Sequence, residues 1–220
     1  SKALSGVPLL VIFLLWLLGR LMFLGLLFVN DAIFPAWSLF TSIVDLLYLP
    51  LFILALAPPI LRVKQYRNYH FLIVSFLLTA INVYYHLLLH GVNVPVIENL
   101  QLVVLFLIVF FVYVIAGRVI PFFTNNAIQG CGAMKVPKLE IVCFVFFWLL
   151  TIGLIFNLNP IVLGGVSFVT GILSLVRSYF WRPLKTLRNP LLWILHVGHL
   201  WVVLGFILLA VSLLGIVQVP

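Results

Sequence analysis

Acidic residues are almost missing from this sequence: four Asp and Glu stand among 220 residues, against twelve Lys and Arg. A hydrolase built on paired carboxylates needs two such groups within reach of one substrate. Asp31, Glu98 and Glu140 fall near loops or the ends of apolar runs, and Asp45 is alone in its run. Cysteine is equally scarce. Cys131 is expected in a loop and Cys143 inside an apolar run, a placement that argues against a disulfide between them. No P-loop, G-x-S-x-G, H-E-x-x-H or C-x-x-C occurs. Charge of either sign is short as well, at 7% of residues where a soluble domain carries roughly a quarter. These shortages exclude a soluble enzyme and a nucleic-acid-binding domain.

What fills the sequence instead is hydrocarbon, with 65% hydrophobic residues and a mean hydropathy of +1.35. Runs such as VPLLVIFLLWLLG, VVLFLIVFFVYVIAG and ILHVGHLWVVLGFILLAVSLLG approach or reach the ~20 residues that cross a hydrocarbon layer of roughly 30 Å. The first run lacks the basic flank and small-residue cleavage site of a signal peptide, so it counts toward the fold. The expected architecture is all-α: a polytopic membrane helix bundle of about seven transmembrane helices forming a single domain over residues 1–220. Spans are predicted from Val7 to Phe28, Phe34 to Leu56, Phe71 to Leu89, Leu100 to Gly117, Ile141 to Phe156, Ile161 to Tyr179 and Leu191 to Ile216. Turn signals separate them at Asn30-Asp31, Pro58-Pro59, Gly91 to Pro95, Asn125 to Pro137, Asn157 to Pro160 and Arg182 to Pro190. The sequence opens on Ser1 and stops soon after its last span, so a central piece of a longer bundle is expected.

The net charge of +8 is not spread evenly. Arg62, Lys64 and Arg67, then Arg118, Lys135 and Lys138, then Arg177, Arg182, Lys185 and Arg188 gather at alternate loops, while the intervening loops carry Asp31 and Glu98 and no base. By the positive-inside rule the basic loops and the amino terminus face the cytoplasm. Trp37, Trp181, Trp193, Tyr66 and Tyr69 fall where interfacial aromatic belts are expected.

Ionisable groups inside spans are costly and face a bundle interior or a polar path. On the third span Ser75, Thr79, Asn82, His86 and His90 recur every three or four residues and share one face. On the last span His196 and His199 form an i, i+3 pair. A neutral imidazole ligates iron, copper or zinc, which makes His86, His90, His196 and His199 candidate ligands. The same residues also suit hydrogen bonds between helices, and the sequence leaves the two readings open. His86 lies about 22 Å along its helix from the basic side and His199 about 12 Å, so one metal shared by both is not expected. His70 borders a basic loop and reads as a surface histidine. Arg20 and Asp45, on adjacent spans at similar depth, are expected to pair or to line a path. Ser167, Thr170, Ser174 and Arg177 form a second stripe, read as helix packing with Arg177 reaching out to the interface.

The order of GRVIPFFT from Gly117 to Thr124, WRPLKTLRNPLLWILHVGHLW from Trp181 to Trp201, and LLYLPLFILALAPPILRVKQYRN before Tyr69 resembles the NnrS family of bacterial membrane proteins over nearly the whole sequence. The resemblance implies a bundle of about twelve spans that binds haem b and copper and is linked to nitric oxide and nitrosative stress in denitrifying and other bacteria. It also implies roles for particular residues. His86 matches the histidine of an Asn-x-x-x-His segment that starts at Asn82, His196 matches that of Leu-His-x-Gly, and Arg118, Pro121 and Thr124 match GR-x-x-P-x-x-T. His199 stands where the family more often has Tyr. Expected partners are the lipid bilayer and nitric oxide, with no nucleic acid. A transporter or metal-handling channel, with Arg20, Asp45 and the polar stripes lining its path, is the competing expectation, and a purely structural bundle a third.

Overall fold

A computed structural model describes residues 6–28 and 33–216, without the side chains of Pro35 and Arg67. Asp31, the Asn30-Asp31 turn and the Arg67 side chain therefore lie outside the described residues. Contacts divide the chain into two compact units, Ser1–Val96 and Ile97–Pro220. The described residues contain seven helices long and apolar enough to cross a membrane, and no strand. The protein is a multi-pass membrane protein.

The first unit holds α1 (Val7–Gly25), prolonged by a 3-10 turn to Phe28, then α2 (Phe34–Arg62) and α3 (Tyr69–Leu89). Helix α2 lies between the other two and touches both. The second unit holds α4 (Leu100–Ala127), α5 (Pro137–Ile155), α6 (Pro160–Phe180) and α7 (Pro190–Leu213). Each packs on the next and α7 returns to α4, which closes a four-helix ring. Helices α5, α6 and α7 each begin on a proline, where the missing N–H costs nothing. Asn159 and Asn189 cap α6 and α7 by accepting the Ile161 and Leu191 N–H at 2.8 and 3.1 Å.

Two helices run further than the sequence suggests. Helix α2 does not stop at Pro58-Pro59 but passes through Pro50, Pro58 and Pro59 to Arg62, and α4 continues beyond Gly117 through Pro121 to Ala127. Proline is a weaker helix terminator in a membrane span, because neighbouring helices can satisfy the carbonyls it frees. Arg118 is consequently a half-buried helical residue and not part of a loop. Trp181, at the end of α6, is fully buried in the second unit.

The core of the second unit is aromatic. Phe147 meets Phe110 and Phe206 edge-on with centroids 5.1 and 5.7 Å apart. Helix α6 faces α7 with Gly164, Ser167 and Gly171, and the Ser167 hydroxyl donates to the Phe206 carbonyl at 2.7 Å. Lipid tails are as apolar as the side chains, so such contacts hold the pair by packing and hydrogen bonding and not by hydrophobic burial. The loop after α4 is pinned by Asn125, which donates to the Ala133 carbonyl at 2.6 Å and accepts its N–H at 2.9 Å, and by Lys185, which donates to the Cys131 carbonyl at 3.0 Å. Cys131 and Cys143 are both buried and free.

Candidate functional site

Each unit buries its own polar cluster. In the first unit the cluster centres on Asp45, which is held on three sides. Arg20 forms an ion pair with Oδ1, while Asn82 Nδ2 and His86 Nε2 reach Oδ2 at 3.0 and 3.1 Å. Gly19 leaves room for this approach, since a Cβ there would stand 3.3 Å from the Asp45 carboxylate. An ionised carboxylate only accepts hydrogen bonds, so the His86 hydrogen sits on Nε2. Nδ1 is then left unprotonated, and it is buried with no hydrogen-bond partner. Phe23 stacks on the imidazole at 5.9 Å. A histidine fixed by a carboxylate with its other nitrogen bare is the arrangement found behind metal-bound imidazoles.

His90 is one turn further on, at the exposed rim of α3. Its Nε2 lies 2.9 Å from Ser42 Oγ, and Ser42 spends its only hydrogen on the Ser38 carbonyl at 2.9 Å, so His90 is the donor. The structure thus gives His86 and His90 different partners. Ser75 and Thr79, on the same stripe, turn back onto the Phe71 and Ser75 carbonyls of their own helix. Sequence reasoning missed the facing stripe on α2, where Ser38, Thr41, Ser42 and Asp45 are all buried and the Thr41 hydroxyl has no partner. Its spacing of three and four residues was the signal.

In the second unit His196 and His199 share the inner face of α7 and are 4% and 3% exposed. Thr124 Oγ1 lies 3.3 Å from His196 Nε2, and His196 Nδ1 is buried without a partner. His199 is packed between Trp181 and Tyr113, with ring centroids at 4.7 and 5.7 Å. The Ser174 backbone approaches its ring, yet neither ring nitrogen attains hydrogen-bond geometry.

Beside it lies a group the sequence reading misplaced. Arg177 does not reach out to the interface; it is 1% exposed and grips Glu140 through Nε to Oε1 at 2.7 Å and Nη2 to Oε2 at 2.6 Å. Its Nη1 donates to the Tyr113 carbonyl at 3.2 Å, and the guanidinium carbon sits 4.4 Å over the Tyr113 ring and 5.0 Å from that of Trp181. Ser174 donates to the Thr170 carbonyl at 2.7 Å, which makes the Tyr113 hydroxyl the donor in its 2.8 Å bond to Ser174. Gly117 provides the space, because a Cβ there would overlap the guanidinium. Gly117→Ala is therefore expected to destabilise the second unit by about 1–3 kcal/mol, the usual range for overpacking. The same change in an Arg177→Met background should be close to neutral. Unfolding midpoints of the four proteins in one detergent check this, and equal losses in both backgrounds would contradict it.

A family model described as NnrS protein matches residues 1–220, from the first residue to the last. The chain belongs to the NnrS family. Comparison with curated proteins and with solved structures found no match. In this NnrS protein the GRVIPFFT element is the last part of α4, where it supplies the gap at Gly117 and the Thr124 hydroxyl beside His196. The second motif supplies Trp181, His196 and His199 from the turn before α7 and from α7 itself.

The clusters differ in what they offer a metal. His86 Nδ1, His196 Nδ1 and both His199 nitrogens are buried without a hydrogen-bond partner, and each ring, when neutral, has one lone pair to offer a metal. Imidazoles standing singly would suit a group that one histidine can hold, such as haem iron. Among the described residues no three His, Cys, Asp or Glu side chains converge to hold a bare ion.

Proposed function

We propose that this NnrS protein is a haem-binding protein of the bacterial inner membrane that acts on nitric oxide or protects against nitrosative stress. The observation that carries the reading is the set of imidazole nitrogens kept buried and unpaired on membrane-spanning helices, where every unsatisfied polar atom costs free energy. His86 and His196 are the residues that would hold the haem iron, with His199 as a further donor. His90, already engaged by Ser42, is at the edge of the first cluster. When bound, haem iron supplies a position at which a diatomic gas can coordinate. The chain's own residues orient and shield: Asp45 fixes the His86 tautomer, Thr124 positions His196, and the aromatic walls exclude water. Copper, which family membership also suggests, needs donors in addition to those gathered here. The basic ends of the helices, with Lys135, Lys138, Lys185 and Arg188, are assigned to the cytoplasmic side together with the amino terminus.

A competing reading makes the first unit a polar path for an ion or metal, and it is favoured by the opposed stripes of α2 and α3 and by Arg20 beside Asp45. One experiment separates the two. Reduced-minus-oxidised absorption spectra of the full-length protein, with and without nitric oxide, should show haem bands that shift with the gas, alongside iron on elemental analysis. His86→Ala and His196→Ala should each weaken those bands. A protein without bands or metal points to the path, and normal spectra in both variants would remove the ligand assignment.

A further inference from the structure

The four-helix unit carries a groove that neither polar cluster uses. It lies between the end of α4 and the start of α7, encloses about 400 Å³, and is lined by Phe123, Asn126, Ala127, Asn189, Leu191, Leu192 and Leu195. That volume falls in the roughly 300–1,000 Å³ range of small-molecule sites. Its walls are hydrocarbon, and the polar groups at its mouth are carboxamides. Asn189 spends its Oδ1 on the Leu191 N–H, which leaves its Nδ2 as a donor. Asn126 is exposed there, and Arg188, also exposed, precedes Asn189. Lys138, Arg182 and Lys185 belong to the same end of the unit. The described carboxylates of this unit do not balance them: Glu140 is taken by Arg177, and Glu98 is at the opposite end, accepting from Asn157 at 2.6 Å. A mouth of donors and cations over an apolar floor, at the end of two membrane spans, calls for a molecule with an anionic head and a hydrocarbon tail.

We propose that the α4–α7 groove is a binding site for an anionic glycerophospholipid. The acyl chain lies along Phe123, Leu192 and Leu195, and the phosphate meets the Asn126 and Asn189 amides and the Arg188 guanidinium. Basic residues near a membrane surface each favour anionic lipid modestly and without shape selection. What the groove adds is a tail slot, so occupancy depends on apolar residues as well as charge.

The full-length protein, purified in detergent, is incubated with phosphatidylglycerol, or with phosphatidylcholine of the same chains, and retained lipids are counted by native mass spectrometry. Phosphatidylglycerol is expected to be held about tenfold more tightly, with the preference falling severalfold in Arg188→Gln and Asn126→Leu. Leu195→Trp and Ala127→Phe, which fill the groove from its floor and its mouth without changing charge, should remove the tightly held lipid. The second sits at an exposed helix end and remains informative if the first fails to fold. Equal retention of the two lipids, full competition by inorganic phosphate alone, or an unchanged preference in a folded groove-filling variant would overturn the proposal.

Discussion

Replacing Glu140 with alanine is expected to cost the second unit roughly 3–5 kcal/mol, the range for removing one partner of a buried ion pair. Arg177 is almost completely enclosed, and Glu140 receives two of its hydrogen bonds. Without the carboxylate, an arginine remains in an aromatic box with the Tyr113 carbonyl and the faces of Tyr113 and Trp181 for company. Those groups attract a cation without neutralising it. Replacing both members, Arg177→Met with Glu140→Leu, should recover most of the loss, since an apolar pair of similar volume requires no desolvation of charge. Detergent unfolding curves for the single and double variants provide the measurement. A Glu140→Ala loss below about 1 kcal/mol, the level of an exposed ion pair, would show that the pair is wet and that its enclosure is wrong.

The second large effect is expected at Asp45. An asparagine there keeps the size but loses the charge that holds Arg20, and its amide nitrogen can stand in place of Oδ2, the one oxygen that receives both Asn82 and His86. The imidazole is then free to place its hydrogen on either nitrogen. If His86 ligates through Nδ1, Asp45→Asn should weaken cofactor retention by about 10- to 100-fold, the usual consequence of losing a carboxylate behind a ligating histidine. Nitrogen-15 spectra of histidine-labelled protein free of cofactor give a separate readout. The wild type should show His86 with hydrogen on Nε2, and the variant a mixture. A wild-type ring already carrying its hydrogen on Nδ1 would refute the tautomer assignment whether or not any cofactor binds.

Much of this was legible in the sequence because lipid leaves few options: seven long apolar runs can satisfy their backbone only as helices, and the described residues contain seven. The Arg20–Asp45 pair was legible too, from depth alone. Azimuth was not. Counting 1.5 Å per residue places Arg177 near the end of its span and invites it outward, but says nothing of Glu140 entering beside it on the first turn of α5. The same gap hid the opposition of Ser42 to His90 and the enclosure of Trp181, since one helix's period does not reveal which neighbour its face meets. The end of α2 was misjudged at Pro58-Pro59 because proline was read there by its behaviour in water, and that of α4 because its apolar run was taken to stop at Gly117.

The passage of α4 through Pro121 has a consequence for the residue four positions earlier. A proline offers no N–H to the carbonyl at i−4, and that carbonyl belongs to Gly117, which also has no side chain. One spacing thus strips the helix of a donor and of its cover at a single level, cutting a polar keyway into an otherwise greasy rod. The tip of Arg177 occupies that level. The Gly-Arg-x-x-Pro element of this chain is therefore, first of all, a socket for an arginine from another helix.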